Sequence, residues 1–96
     1  MDFEKLRVLR VGSGIKIGND DYFVDKLSAD VVDQVKGIPI EVIEYWMKRR
    51  KDGKDFLLQV PRIDEKKYLQ FYMAIKTGPK SWMFNKSKKD IKIEIM

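Results

Sequence analysis

The chain contains no cysteine and no histidine. Those two absences exclude disulfide frameworks, thiol nucleophiles, imidazole bases, zinc fingers and c-type haem attachment. No apolar run approaches the length of a membrane span or of a secretory leader. With no export signal to read, a cytoplasmic location is expected. Proline is sparse, three residues in 96, and no Pro/Ser-rich linker, internal repeat or low-complexity tract divides the chain. One domain over residues 1–96 is therefore expected. A chain of this size buries roughly 60–65% of its unfolded surface, enough for one modest core.

What is present is charge and scattered hydrophobic residues. Hydrophobic residues make up 44% and charged residues 36%, a globular composition. The net charge is +5, and it is unevenly spread. Residues 1–47 carry 6 Lys/Arg against 9 Asp/Glu; residues 48–96 carry 14 against 6. The change of sign falls at Lys48-Arg49-Arg50-Lys51, with Lys54 close behind. A basic half interleaved with Tyr68, Tyr72, Trp82 and Phe84 has the makings of a polyanion-binding surface; a solvated lysine-rich surface kept for solubility explains the same charge.

Local patterns predict a mixed architecture. Lys5 to Val11 alternates loosely and reads as a strand, and Ile15-Lys16-Ile17 as a second, between the turns Gly12-Ser13-Gly14 and Gly18 to Asp21. Ser28 is a candidate N-cap, with Asp30 in the first turn after it. Leu27, Val31, Val32 and Val35 then fall at helical spacing, and Gly37 is placed to end a short helix. Pro39 suits the first turn of another helix, whose inner face is Val42, Ile43, Trp46 and Met47. Asp52-Gly53 predicts a hairpin turn before a strand over Phe56 to Val60. Asp64 to about Lys76 predicts a third helix, apolar nearly all round, which needs cover on more than one side. Asp90 to Met96 alternates as a terminal strand that pairs with the first.

Helix, glycine turn, helix and basic hairpin together predict a helix-turn-helix. Gly37-Ile38-Pro39-Ile40-Glu41-Val42-Ile43-Glu44-Tyr45-Trp46-Met47-Lys48 resembles the turn and recognition helix of MerR-type and phage-excisionase winged helices, and Leu27 to Lys36 is similar to their preceding helix. The resemblance covers residues 27–76, leaving an N-terminal hairpin (1–26) and a C-terminal strand segment (77–96) outside it. It implies an α+β fold, a winged helix-turn-helix with three short helices and a small antiparallel sheet. It implies double-stranded DNA binding in transcriptional regulation or as a recombination accessory. Ile40, Glu41, Glu44, Tyr45 and Lys48 then fall on the recognition helix, and Arg49, Arg50, Lys51 and Lys54 at its end and on the wing. Glu41 and Glu44 sit badly beside phosphates, which moves weight to the basic turn. Asp33, Lys36 and Pro39 also depart from the family's pattern.

Two other functions fit the residues. One is a small protein-interaction module, an inhibitor or assembly subunit, using its apolar third helix and hairpin edges. The other is a single-strand or RNA binder working through Trp82 to Lys89. A homodimer through the helix containing Tyr68, Phe71 and Tyr72 is expected. Gly12-Ser13-Gly14 lacks the rest of a phosphate loop, and Asp20-Asp21 the spaced ligands of a calcium loop. No catalytic trio has a telling spacing, so neither enzymatic activity nor a cofactor or metal is expected.

Overall fold

The computed structural model describes residues 3–64, 68–76, 82–86 and 92–96. Seven strands among them form one antiparallel sheet. They are β1 (Gly14–Ile17), β2 (Asp20–Val35), β3 (Ile38–Arg49), β4 (Asp55–Pro61), β5 (Gln70–Lys76), β6 (Trp82–Lys86) and β7 (Ile93–Ile95), preceded by one short helix, α1 (Phe3–Leu6). The spatial order is β6-β5-β4-β3-β2-β1-β7. Six strands meander, each beside its predecessor, and the last returns to the free side of β1.

The fold is not the predicted winged helix. The segment read as a capped helix from Ser28 lies inside β2, and the recognition helix from Pro39 is β3. The segment predicted as the third helix holds strand β5 from Gln70 onward. The strand predicted over Lys5 to Val11 begins instead as the end of α1 and continues as turn. The hairpins at Gly18 and Asp52-Gly53 and the strand after the latter are as expected. The terminal strand shortens to Ile93–Ile95 and pairs with Gly14–Ile17, not with residues 5–11.

A shared spacing explains the error in β3. Val42, Ile43, Trp46 and Met47 stand at i, i+1, i+4 and i+5. On a helix these form one stripe; on a strand, i and i+4 share one face and i+1 and i+5 the other. A strand with both faces apolar therefore has a helical signature. Branched side chains tip the balance, since Val and Ile lose χ1 freedom in a helix and pack well on a pleat. The β2–β3 hairpin carries Val24, Val31, Val32, Val35, Ile38, Ile40, Val42 and Ile43.

Glycine is indeed left-handed at position 37, but within a strand turn. Val35 pairs with Ile38, and the two residues between them have φ 52° (Lys36) and 79° (Gly37). Two positive φ values define the type I′ turn, whose twist matches that of the flanking strands. At the β1–β2 turn Ile17 pairs with Asp20, and Gly18 alone has positive φ, 63°, as a type II′ turn requires.

The inner face of the sheet holds the core. Ile15 and Ile17 of β1, Tyr22 and Val24 of β2, Tyr45 and Met47 of β3, and Phe56, Leu58 and Val60 of β4 form one buried cluster with Leu6, Leu9 and Leu69. Phe71 and Ile93 pack against it. The helix closes this face: Leu6 is buried, its carbonyl accepts from the Tyr45 hydroxyl, and Arg7 donates to the Pro61 carbonyl at 3.0 Å and meets Asp64 at 2.9 Å. At one end Phe56 and Phe71 stack 5.1 Å apart, with the Tyr22 ring edge-on to both.

Candidate interaction surface

Three surfaces stand out: the basic end of the sheet, the outer face around Trp46, and the arm formed where the β2–β3 hairpin outruns its neighbours.

At the basic end, the β3–β4 turn brings Lys48, Arg49, Arg50, Lys51 and Lys54 together, but aspartates come with them. Lys48 bonds Asp55 at 2.7 Å. The Arg49 guanidinium grips both carboxylate oxygens of Asp52, lies 3.5 Å from Asp20, and stands over the Phe56 ring at 5.1 Å. That grip pulls the Asp52 carboxyl down to about 2 and raises Arg49 further above its ordinary range. Lys51 meets Asp20 at 3.1 Å. Arg50 lies over the Phe23 ring at 5.2 Å, and Lys54 is exposed. Of the four expected phosphate contacts Arg49 and Lys51 are thus ion-paired within the chain, as is the groove candidate Lys48, which leaves a weak anchor for a polyanion.

The remaining sequence-predicted groove residues do not share one outward surface. Tyr45 is fully buried on the inner face, where burial raises its phenol pKa, and Ile40 is 4% exposed. Glu44 points the other way, accepting from Ser28 and Gln59 at 3.0 Å each. Glu41 is exposed beside Arg62, 3.5 Å away. Phe71, expected at a helical dimer contact, packs against the core. Trp82 and Phe84 belong to β6, while Lys80, Lys88 and Lys89 lie outside the described residues.

The strand register holds a row that sequence reasoning missed. The register aligns Lys26, Trp46, Leu57, Tyr72 and Lys86 across five neighbouring strands. The Lys26 ammonium stands 5.1 Å over the Trp46 ring, and the indole donates to Ser28 at 2.9 Å. A small pocket beside Trp46 is lined by Lys26 and Lys48 but also by Asp25 and Asp55, so its charges cancel.

The arm is more distinctive. β4 reaches β3 only from Val42 to Lys48, and β1 reaches β2 only from Asp20 to Phe23. The hairpin therefore projects beyond both. Three of its apolar residues are uncovered, Val31 (51% exposed), Ile38 (66%) and Leu27 (44%), while Ile40 and Val42 are buried. Residues 27–44 carry Asp30, Asp33, Glu41 and Glu44 against Lys36 alone, so the arm is acidic where the opposite end of the strands is basic. The sequence signal for it was available, a Lys-Gly pair between two β-branched runs.

Comparison with known proteins finds no family model matching the chain, and no matching curated protein or solved structure. The fold and these surfaces define an antiparallel meander sheet, helix-capped on one face, with a projecting hairpin. Among the described residues no helix is long and apolar enough to cross a membrane.

Proposed function

We propose that this chain is a small protein-interaction module that docks its partner on the projecting β2–β3 arm. The observation that carries this is the arm itself: a hairpin continued past the sheet that supports it, with Leu27, Val31 and Ile38 left in water. Soluble chains of this size have little apolar surface to spare, and an apolar projection is stabilised when another protein covers it. The ion-paired state of Lys48, Arg49 and Lys51 lowers the competing claim of a phosphate backbone on the basic end.

The test is site-resolved. A photo-crosslinking residue at Ile38 or Val31, introduced in the cells that make the protein, is expected to give a discrete adduct. The same residue at Lys54, on the basic end, is expected to give none. Equal yields at all three positions, or none at any, would overturn the assignment.

A second function draws on one observation, the register row Lys26–Trp46–Leu57–Tyr72–Lys86, because aromatic and cationic residues on neighbouring strands suit stacked single-stranded bases. Titration of labelled single strands and duplexes at two salt concentrations separates the two. The interaction module predicts no nucleic-acid complex at moderate salt. A salt-dependent complex lost in Trp46→Ala would favour the row.

A further inference from the structure

We infer that the arm's partner supplies a single extended strand, a linear segment added antiparallel along the edge of β2 from Lys26 to Val31. Its side chains are apolar at alternate positions and cationic where it passes Asp30. This rests on the interaction function proposed above and names the chemistry of the occupant.

Backbone parity locates the groups such a strand would bond. In an antiparallel ladder, alternate residues direct N–H and C=O to opposite neighbours. The Glu41 carbonyl accepts from the Arg62 N–H, and the Arg49 N–H donates to the Lys54 carbonyl, so the odd residues of β3 face β4. Its even residues bond β2, at Asp30, Ser28 and Lys26. Leu27, Ala29 and Val31 therefore present their backbone groups away from β3. The Val31 N–H is met by the Asp30 carboxylate at 2.8 Å, which leaves Leu27 and Ala29 with both donor and acceptor to offer. Every residue from Asp25 to Val31 is exposed, and among the described residues no strand pairs with this edge beyond Phe23.

The edge is bounded at both ends. Val24 bonds Ser13 and Gly12, and β1 takes up Phe23 to Asp20, so an added strand must stop or turn away beside Asp25. A bulge at Val31/Asp33 breaks the ladder at the other end. Between them, Lys26 to Val31 pair in unbroken register with Trp46 to Glu41. The arm of a second copy centred on this stretch would run into β1; a short linear segment does not. The opposite edge of the arm carries Pro39 at an outward position, where the missing N–H blunts it. The β2 edge has no proline, and a regular edge of this kind is a template for strand addition.

The side chains along the edge set the segment's pattern. Leu27, Ala29 and Val31 stand opposite Tyr45, Ile43 and Glu41 on one face, and Lys26, Ser28 and Asp30 lie on the other. Leu27 and Val31 are exposed, and apolar residues placed beside them cover both. Ala29, the small residue between them, leaves room for a large one. On the other face Asp30 meets no cation among the described residues, and residues 27–44 carry Asp30, Asp33, Glu41 and Glu44 against Lys36 alone. A lysine or arginine beside Asp30 is the complementary charge. Val11, next to Gly12 at the closed end, is a further exposed apolar residue for the segment to meet.

Chemical-shift mapping of the full chain with the peptide acetyl-Val-Lys-Ile-Thr-Val-amide tests this. Read from its N-terminus, the peptide sets Val, Lys, Ile, Thr and Val opposite Val31, Asp30, Ala29, Ser28 and Leu27. Saturable shifts are expected at the Leu27, Ala29 and Val31 amides. Methylating the Ile nitrogen, which faces β2, is expected to weaken binding about tenfold. Methylating the Thr nitrogen, which faces away, is expected to change it less than about threefold. Replacing the peptide's Lys by Glu is expected to weaken binding about fivefold, and Asp30→Lys, its folding confirmed by circular dichroism, to recover most of that loss. Hydrogen exchange is the second measurement: the Leu27 and Ala29 amides are expected to be fast in the free protein and slowed by the peptide, with Lys26 and Ser28 slow throughout. No shifts at millimolar peptide, shifts centred elsewhere, equal binding of the two methylated peptides, or no recovery with Asp30→Lys would each overturn the proposal. So would Leu27 and Ala29 amides already slow in the dilute free protein. Slowing that rises with protein concentration alone would give the edge to a second copy and overturn it too. Failure of the peptide while the arm still gives its adduct in cells removes the strand addition and leaves the interaction function standing; failure of both removes both.

Discussion

Tyr45 illustrates how little a residue's type says about its role. By its spacing it was a candidate for reading a groove, yet it is fully buried and its hydroxyl donates to the Leu6 carbonyl, tying helix to sheet. Tyr45→Phe leaves that buried carbonyl without its donor and is expected to cost about 1–3 kcal/mol in urea unfolding. Burial raises the phenol pKa of Tyr45, and burial together with the Asp20 charge raises that of Tyr22. The sign follows from linkage. The folded state favours the protonated phenols, so their contribution is complete below the unfolded value of about 10 and is lost as pH rises through the higher folded values. Ultraviolet titration of the folded protein should show late-ionising phenol absorbance that is reduced in Tyr45→Phe. Late-ionising absorbance unchanged in Tyr45→Phe would contradict this placement.

Elements differ in how much of them the sequence disclosed. The hairpin turns at Gly18 and Asp52-Gly53 were legible, because Gly, Asn and Asp supply the backbone conformations that tight turns demand. Gly37 was legible as a left-handed position but not as a turn, since a helix C′ residue and a type I′ turn both need positive φ. β2, β3 and β5 were misread because both faces of the sheet take apolar residues, and a two-faced strand repeats at i and i+4 as a helix does. α1 was missed: its four residues are too short for a periodic signal, and its placement depends on a sheet far along the chain. The β2–β3 turn gives the sharpest check on this level. Gly37→Ala forces a side chain into positive φ with nothing within 4 Å of the added carbon, so the cost is conformational. About 1–2 kcal/mol of destabilisation is expected in thermal or urea unfolding. A neutral result would show that residue 37 does not hold a positive φ and would count against the type I′ turn.

At the scale of the whole molecule, stability rests on one cluster spanning β1 to β5 and the helix. Leu58 stands at its centre, between Tyr45 of β3 and Phe71 of β5 in register, and has no exposed surface. Leu58→Ala is expected to cost about 2–5 kcal/mol, the range for truncating a leucine in a packed core. Loss below 1 kcal/mol in equilibrium unfolding would show that the sheet does not share one core. The sequence alone determined the quantities that depend only on composition and nearest neighbours: chemistry without thiol or imidazole, a basic charge over residues 48–96, and where the chain can turn sharply. Tertiary structure decided everything that depends on what lies opposite a residue. It placed aspartates against the basic cluster and buried Tyr45 and Ile40. Such outcomes follow from cross-strand register, which joins residues distant in sequence and leaves no mark on the local pattern of either partner.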